Sequence, residues 1–210
     1  MRRETVLKIV GLLRMEMDRG STILNLSKKL KIGYRPAYNH VSGLEMDGVI
    51  TVKTVGRAKQ CLLNLSNTKC RYSLQELDLV RKELLYKNYP KLNIVIESLI
   101  EKITTKFVAD IHSIVLFGSY AKGSATNKSD VDLLFIVSDL KNKSVRKAIE
   151  RECASFQYSH NILVSPLITD VVEFRKMLRA KEMNIGKEAK EHGISVFGSE
   201  QFWRFIAWQE

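Results

Sequence analysis

Two carboxylates, Asp130 and Asp132, stand two residues apart where a polar loop runs into the apolar stretch Val131 to Val137. If that stretch is a strand, alternation puts both carboxylates on one face and Val131 on the other. Paired charged oxygens suit Mg²⁺ or Mn²⁺, which take hard oxygen ligands and keep places for water and phosphate. Upstream, a second strand-like run, His112 to Phe117, ends in Gly118-Ser119, with Lys122 and Gly123 following. A glycine after a buried strand lets backbone N–H groups approach phosphate oxygens. Ser119 adds a hydroxyl at the start of the next helix, where the dipole favours anions. Ser129 directly precedes the first carboxylate, and Lys122 or Lys128 is placed to neutralise a leaving group. Each feature alone is an ordinary turn or loop edge. Their coincidence between two apolar runs points to a cradled triphosphate facing a bound metal.

The stretch GSYAKGSATNKSDVDLLFIV resembles the signature of the polymerase-beta-type nucleotidyltransferase superfamily, especially its minimal members. In that signature a Gly-Ser pair and a short turn precede Ser-Asp-x-Asp at the head of a strand. The matching residues are Gly118, Ser119, Gly123, Ser129, Asp130 and Asp132. The resemblance implies an α/β (α+β) fold in which a mixed sheet is flanked by helices. It also implies a nucleoside triphosphate substrate with Mg²⁺ or Mn²⁺. An acceptor hydroxyl attacks the α-phosphorus in line and pyrophosphate leaves, with metal ions stabilising both oxygens. Enzymes of the family usually carry a third carboxylate on a later strand. Here that strand is read as Asn161 to Ile168, where the corresponding position falls near Ser165 or Pro166. Asp170 followed by Glu173 fits a helix-capping box instead. Two alternatives stay open beside the enzyme: a DNA-binding regulator whose fold senses nucleotide or turns over weakly, and an antitoxin-like protein.

These residues need a frame. The pattern predicts a helix over Ser144 to Phe156, a strand to Ile168, a helix over Val171 to Glu182, and a further helix capped by Gly193 before a strand Ile194 to Phe197. The passage EFRKMLRAKEMNIGKEAKEHGISVFG resembles the C-terminal extension of minimal nucleotidyltransferases. Trp203, Phe205 and Trp208 read as core or as anchors pairing two chains, so a homodimer is an open expectation. Ahead of the motif, Asn67 to Ser73 reads as a linker. Helical periodicity then covers Leu74 to Lys87, breaks at Tyr89-Pro90, and resumes from Lys91 through Ile103.

The N-terminal third is organised differently. Val6, Ile9, Val10, Leu12 and Leu13 mark one helix, ending near Asp18-Arg19-Gly20. Leu24, Leu26 and Leu30 mark a second, with Gly33 as its C-terminal cap. A third runs from Arg35 to Met46 with Pro36 in its first turn. Val49 to Val55 and Gln60 to Leu65 then form a hairpin with the basic tip Gly56-Arg57-Ala58-Lys59. This order resembles the winged helix-turn-helix family. The resemblance implies double-stranded DNA as partner, with Arg35, Tyr38, Asn39 and His40 toward bases or phosphates and Arg57 and Lys59 on the backbone. Winged modules also serve as protein-docking units.

Composition fits this organisation. The chain has 210 residues and a formal charge of +11, of which Met1 to Ser66, with twelve basic and five acidic residues, carries +7. That is the electrostatic footprint expected of a nucleic-acid binder, the alternative being a merely soluble basic face. The expected division is 1–66, a winged helix-turn-helix domain; 67–106, a helical connector; and 107–210, a nucleotidyltransferase domain. Hydrophobic residues make up 45% and charged residues 27%, an ordinary globular balance. Three cysteines share no metal-ligand spacing. No apolar run approaches the roughly 18 residues that span a bilayer, so the expected location is cytoplasmic, with no membrane partner.

Overall fold

The computed structural model describes residues 3–126 and 129–208. The chain divides into two compact units, Met1–Leu77 and Asp78–Glu210. Together they hold ten helices and two sheets among the described residues, a mixed α/β architecture.

In the first unit, α1 (Arg3–Met15) buries Leu7, Ile9, Val10 and Leu13. A strand of two residues follows, β1 (Ser21–Thr22), too short to leave a periodic signal. Thr22 caps α2 (Ile23–Leu30) by accepting the Asn25 N–H at 3.1 Å. That helix closes on Lys31, which adopts the left-handed conformation at φ 54°. Gly33, expected as the closing cap, is instead the extended residue that starts α3 (Tyr34–Met46). Ala37, Val41 and Leu44 form its buried face. The hairpin is β2 (Ile50–Val55) and β3 (Ala58–Leu63), in register from Ile50↔Leu63 to Val55↔Ala58. Its loop is therefore only Gly56-Arg57, with Gly56 at φ 59°, and Ala58 and Lys59 belong to the strand rather than the tip. Ser21 pairs with Cys61, which places β3 centrally in the order β1-β3-β2. The segment read as a linker is helical: α4 spans Thr68–Asn88, with the Asn67 side chain accepting the Lys69 N–H at 2.7 Å. Burying Cys70 and Leu74 outweighs the polar composition around them.

The second unit is built on a four-stranded sheet. Its strands are β4 (Ile111–Phe117), β5 (Val131–Val137), β6 (Val164–Asp170) and β7 (Ile194–Phe197), ordered β6-β5-β4-β7. Only β5 and β6 run parallel. Helices α5 (Pro90–Phe107) and α7 (Lys143–His160) cover one face. Leu92, Val95, Leu99, Ile149 and Phe156 join one core there with the odd-numbered β5 residues Val131, Leu133, Phe135 and Val137. Even-numbered β5 positions, Asp132 among them, point to the opposite face. That face is covered by α8 (Val171–Arg179), α9 (Ile185–His192) and α10 (Ser199–Ala207).

Two boundaries differ from expectation for identifiable reasons. Helix α7 runs on to His160 and stops at Asn161, which takes the left-handed conformation that asparagine tolerates, so β6 starts only at Val164. Helix α8 stops at Arg179 because Asn184 folds back, donating to the Met177 carbonyl at 2.7 Å and capping α9 through the Lys187 N–H. Trp203 is fully buried, its indole N–H donating to Asp78 at 2.8 Å, whereas Trp208 is half exposed under the Arg204 guanidinium.

Candidate functional site

Asp132 lies at the head of β5, opposite Phe117 on β4 and opposite Ser165 on β6. Asp130, one alternation earlier, is exposed at the rim. Between β4 and β5 comes α6 (Gly118–Lys122), whose first residue sits at φ 69°. A Cβ added to Gly118 would fall 2.1 Å from Oδ2 of Asp132. The Asp132 carboxylate thus rests directly on the glycine backbone, in space that any side chain would fill. The Gly-Ser turn and the carboxylate pair, separate in sequence, form one surface.

The turn is braced locally. Gly123, at φ 72°, closes α6 by donating to the Ser119 and Tyr120 carbonyls, and the Ser124 N–H reaches Ser119 O at 3.0 Å. Before Asp130, the Ser129 N–H donates to Thr126 O at 3.0 Å while its Oγ accepts the Thr126 N–H at 2.9 Å. Ser129, expected to touch nucleotide, is engaged in shaping the loop that delivers Asp130. Helix α6 has only five residues, so its macrodipole adds little and any phosphate cradle rests on local N–H groups and the half-buried Ser119. Lys128 lies outside the described residues.

Burial raises the Asp132 carboxyl above the usual carboxylate range; the charges of Asp130 and then Glu188 push the same way, and Lys122 opposes them. Tyr120 is also raised, by burial first, then by Tyr89 and Asp130. Glu188, on α9, forms an ion pair with Lys122 at 2.7 Å. The sequence reading missed Glu188. It stands in no motif and reaches the site only because α9 packs against α6 and β4. Arg81 of α4 secures that packing, donating to the carbonyls of Ala121 at 2.9 Å, His192 at 2.8 Å and Gly193 at 2.8 Å.

The residue opposite Asp132 on the neighbouring strand is a serine, and Asp170 accepts the Glu173 N–H at 2.8 Å as the cap of α8. Among the described residues no group of three or more His, Cys, Asp or Glu side chains is arranged to hold a metal ion. Asp130 and Asp132 nevertheless suit two ligand positions of an oxygen-seeking cation. Burial first, and then the Asp130 charge, raise Asp132, and a cation beside the pair would offset both.

In the first unit, Arg35, Tyr38 and Asn39 are exposed on α3, as are Arg57 and Lys59 on the hairpin. Lys59 Nζ stands 4.8 Å above the Tyr38 ring and 3.5 Å from its hydroxyl, and Tyr34 stacks on Tyr38 at 6.4 Å. Helix and hairpin therefore share one basic, aromatic edge. His40 departs from the expected placement. It follows Ala37 by three residues and precedes Leu44 by four, so it shares their inward face, and its Nδ1 is buried without a hydrogen-bond partner.

Residues 96–196 match the family model of the nucleotidyltransferase domain. Two proteins of Methanocaldococcus jannaschii, both named as protein adenylyltransferases, are similar to this chain. One is 37% identical over 81 residues, 38% of this chain and 55% of the relative, so the chain spans about half of its length. The other is 26% identical over 102 residues, 49% of this chain and 95% of the relative. A solved structure described as a toxin-antitoxin with AMP-PNP aligns over 53% of this chain and 80% of its own, at 18% identity and a TM-score of 0.37.

Proposed function

We propose that this protein is a metal-dependent nucleotidyltransferase that moves the NMP group of a nucleoside triphosphate onto a hydroxyl acceptor. The observation that carries this reading is the Asp132 carboxylate resting on Gly118, which joins a phosphate-approach turn to a carboxylate pair. Asp130 and Asp132 would hold Mg²⁺ or Mn²⁺, which supplies charge neutralisation at the α-phosphate and the departing oxygen. Gly118 and Ser119 give the triphosphate backbone N–H groups and a hydroxyl, Gly123 keeps the turn open, and Lys122 brings a cation to the leaving end. The acceptor oxygen bonds to the α-phosphorus, the bond to the bridging oxygen breaks, pyrophosphate leaves, and the hydroxyl proton passes to solvent. The names of the two Methanocaldococcus jannaschii relatives support ATP as donor and a protein as acceptor.

The exposed edge formed by α3 and the hairpin supports a winged helix-turn-helix reading of the first unit, with duplex DNA as partner. Ser165 opposite Asp132 supports a second reading, in which the site binds nucleotide and turns over slowly within a DNA-binding regulator. Incubation with each α-labelled NTP, Mg²⁺ or Mn²⁺ and a cell lysate separates the two. The enzyme transfers label, and Asp130→Ala with Asp132→Ala abolishes it. Nucleotide binding by calorimetry without transfer in the wild type selects the regulator.

A further inference from the structure

The Lys122–Glu188 pair adjoins the carboxylates but is not part of the motif. Lys122 is on the turn, with a side chain 42% exposed; Glu188 comes from α9 and is 24% exposed. The ammonium is thus the more exposed partner and the carboxylate the more enclosed one. The main-chain anchors of both are tied by the single Arg81 guanidinium, which caps the last turn of α6 at Ala121 and the end of α9 at His192 and Gly193. With backbones held, the place of the Lys122 ammonium is set by Glu188, and both charges are felt at Asp132.

Resting on the nucleotidyltransferase reading, we propose that Glu188 is a positioning residue for the triphosphate. It keeps the Lys122 ammonium beside the carboxylate pair while the site awaits substrate and yields it to the β- and γ-phosphates. A lysine has several rotatable bonds, and fixing it in advance removes part of the entropy lost when it binds phosphate. The exchange is electrostatically favourable, because a triphosphate presents several negative charges where Glu188 presents one. Glu188 acts through Lys122, not on the reacting atoms.

The test is calorimetric binding of a non-hydrolysable ATP analogue with Mn²⁺ to the full chain, with steady-state kinetics alongside. Glu188→Ala weakens binding about twofold to fivefold, the range of an exposed ion pair, and raises KM while kcat changes by less than about twofold. Glu188→Gln, whose amide oxygen still accepts from the ammonium, recovers most of the loss. Lys122→Ala weakens binding on the order of tenfold, as for a lost charge-assisted contact. Adding Glu188→Ala to it costs nothing more, because the two act as one unit. Unchanged or tighter binding by Glu188→Ala, full additivity with Lys122→Ala, or a fall in kcat at constant KM overturns the proposal. A wild type that binds no nucleotide with Mn²⁺ overturns the functional reading with it.

Discussion

Asp132 is held in a place that opposes its own charge. Burial, Asp130 and Glu188 all raise its carboxyl, and only Lys122 works the other way. An acid with a raised folded-state pKa stabilises the fold below its unfolded pKa and loses that contribution as pH rises through the folded value. At neutral pH the ionised Asp132 therefore costs stability, a cost that a bound cation would offset. Asp132→Asn, in metal-free buffer at pH 7, is expected to raise Tm by about 1 to 3 °C, an amount kept small because the carboxyl is only partly buried and solvent still screens it. The gain should vanish near about pH 3, where the wild-type carboxyl is also neutral. Mn²⁺ should stabilise the wild type and leave the variant unmoved. Scanning calorimetry with chelator and then with Mn²⁺ checks all three. A lower Tm for the metal-free variant would mean that the ionised carboxylate has partners strong enough to outweigh its burial, contrary to the raised pKa.

Arg81 does at the scale of elements what Gly118 does at the scale of atoms, bringing the ends of α6 and α9 together around one guanidinium. Removing it leaves three carbonyls to find other donors in a partly buried place. Arg81→Ala is expected to lower unfolding free energy by about 1 to 3 kcal/mol and to weaken nucleotide binding without touching a site residue. Urea unfolding and calorimetry measure the two effects, and retention of both properties would show that α6 and α9 hold their places without the clamp. No sequence signal announces this contact, because its partners are backbone oxygens far along the chain. Glu188 was hidden by distance along the chain alone, since its partner is the Lys122 side chain on another element. What could be read lay within one short stretch, Gly118 to Asp132, and β5 was bounded correctly by its apolar run. The neighbour of Asp132 on β6 was legible too, since Ser165 stands opposite it. Misreadings arose where local chemistry did not decide the outcome. Lys31 takes the left-handed cap that Gly33 seemed made for, α4 begins inside a polar segment, and His40 turns inward on a helix face that looked solvent-bound.

At the scale of the whole molecule the charge is uneven, and the first unit carries most of it. Cys70, Leu74 and Leu77 are buried and lie within Met1–Leu77, so a fragment ending at Ser66 would omit part of that unit's apolar surface, and DNA binding is better measured on the full chain. If the α3 and hairpin edge meets duplex DNA, Arg57 and Lys59 contribute phosphate contacts, and each such contact steepens the salt dependence of binding by roughly one unit of log–log slope. Arg57→Ala with Lys59→Ala should weaken binding to every duplex and flatten the slope by about two. Lys59 also lies over the Tyr38 ring and near its hydroxyl, so its loss frees that side chain as well as removing a charge. Lys59→Arg keeps the charge and the stacking capacity and should restore the slope, which separates the two effects. Asn39→Ala, on the exposed face of α3, should instead alter preference among sequences and leave the slope unchanged, because base-edge contacts release no counterions. His40→Ala should do neither, since its ring is half-buried with Nδ1 enclosed; its effect belongs to stability. Fluorescence anisotropy with labelled duplexes across a salt series measures all four variants. A full chain whose retention of DNA does not depend on salt, or a double variant with an unaltered slope, would make this edge a surface for a protein partner and remove the ground for a DNA-binding role.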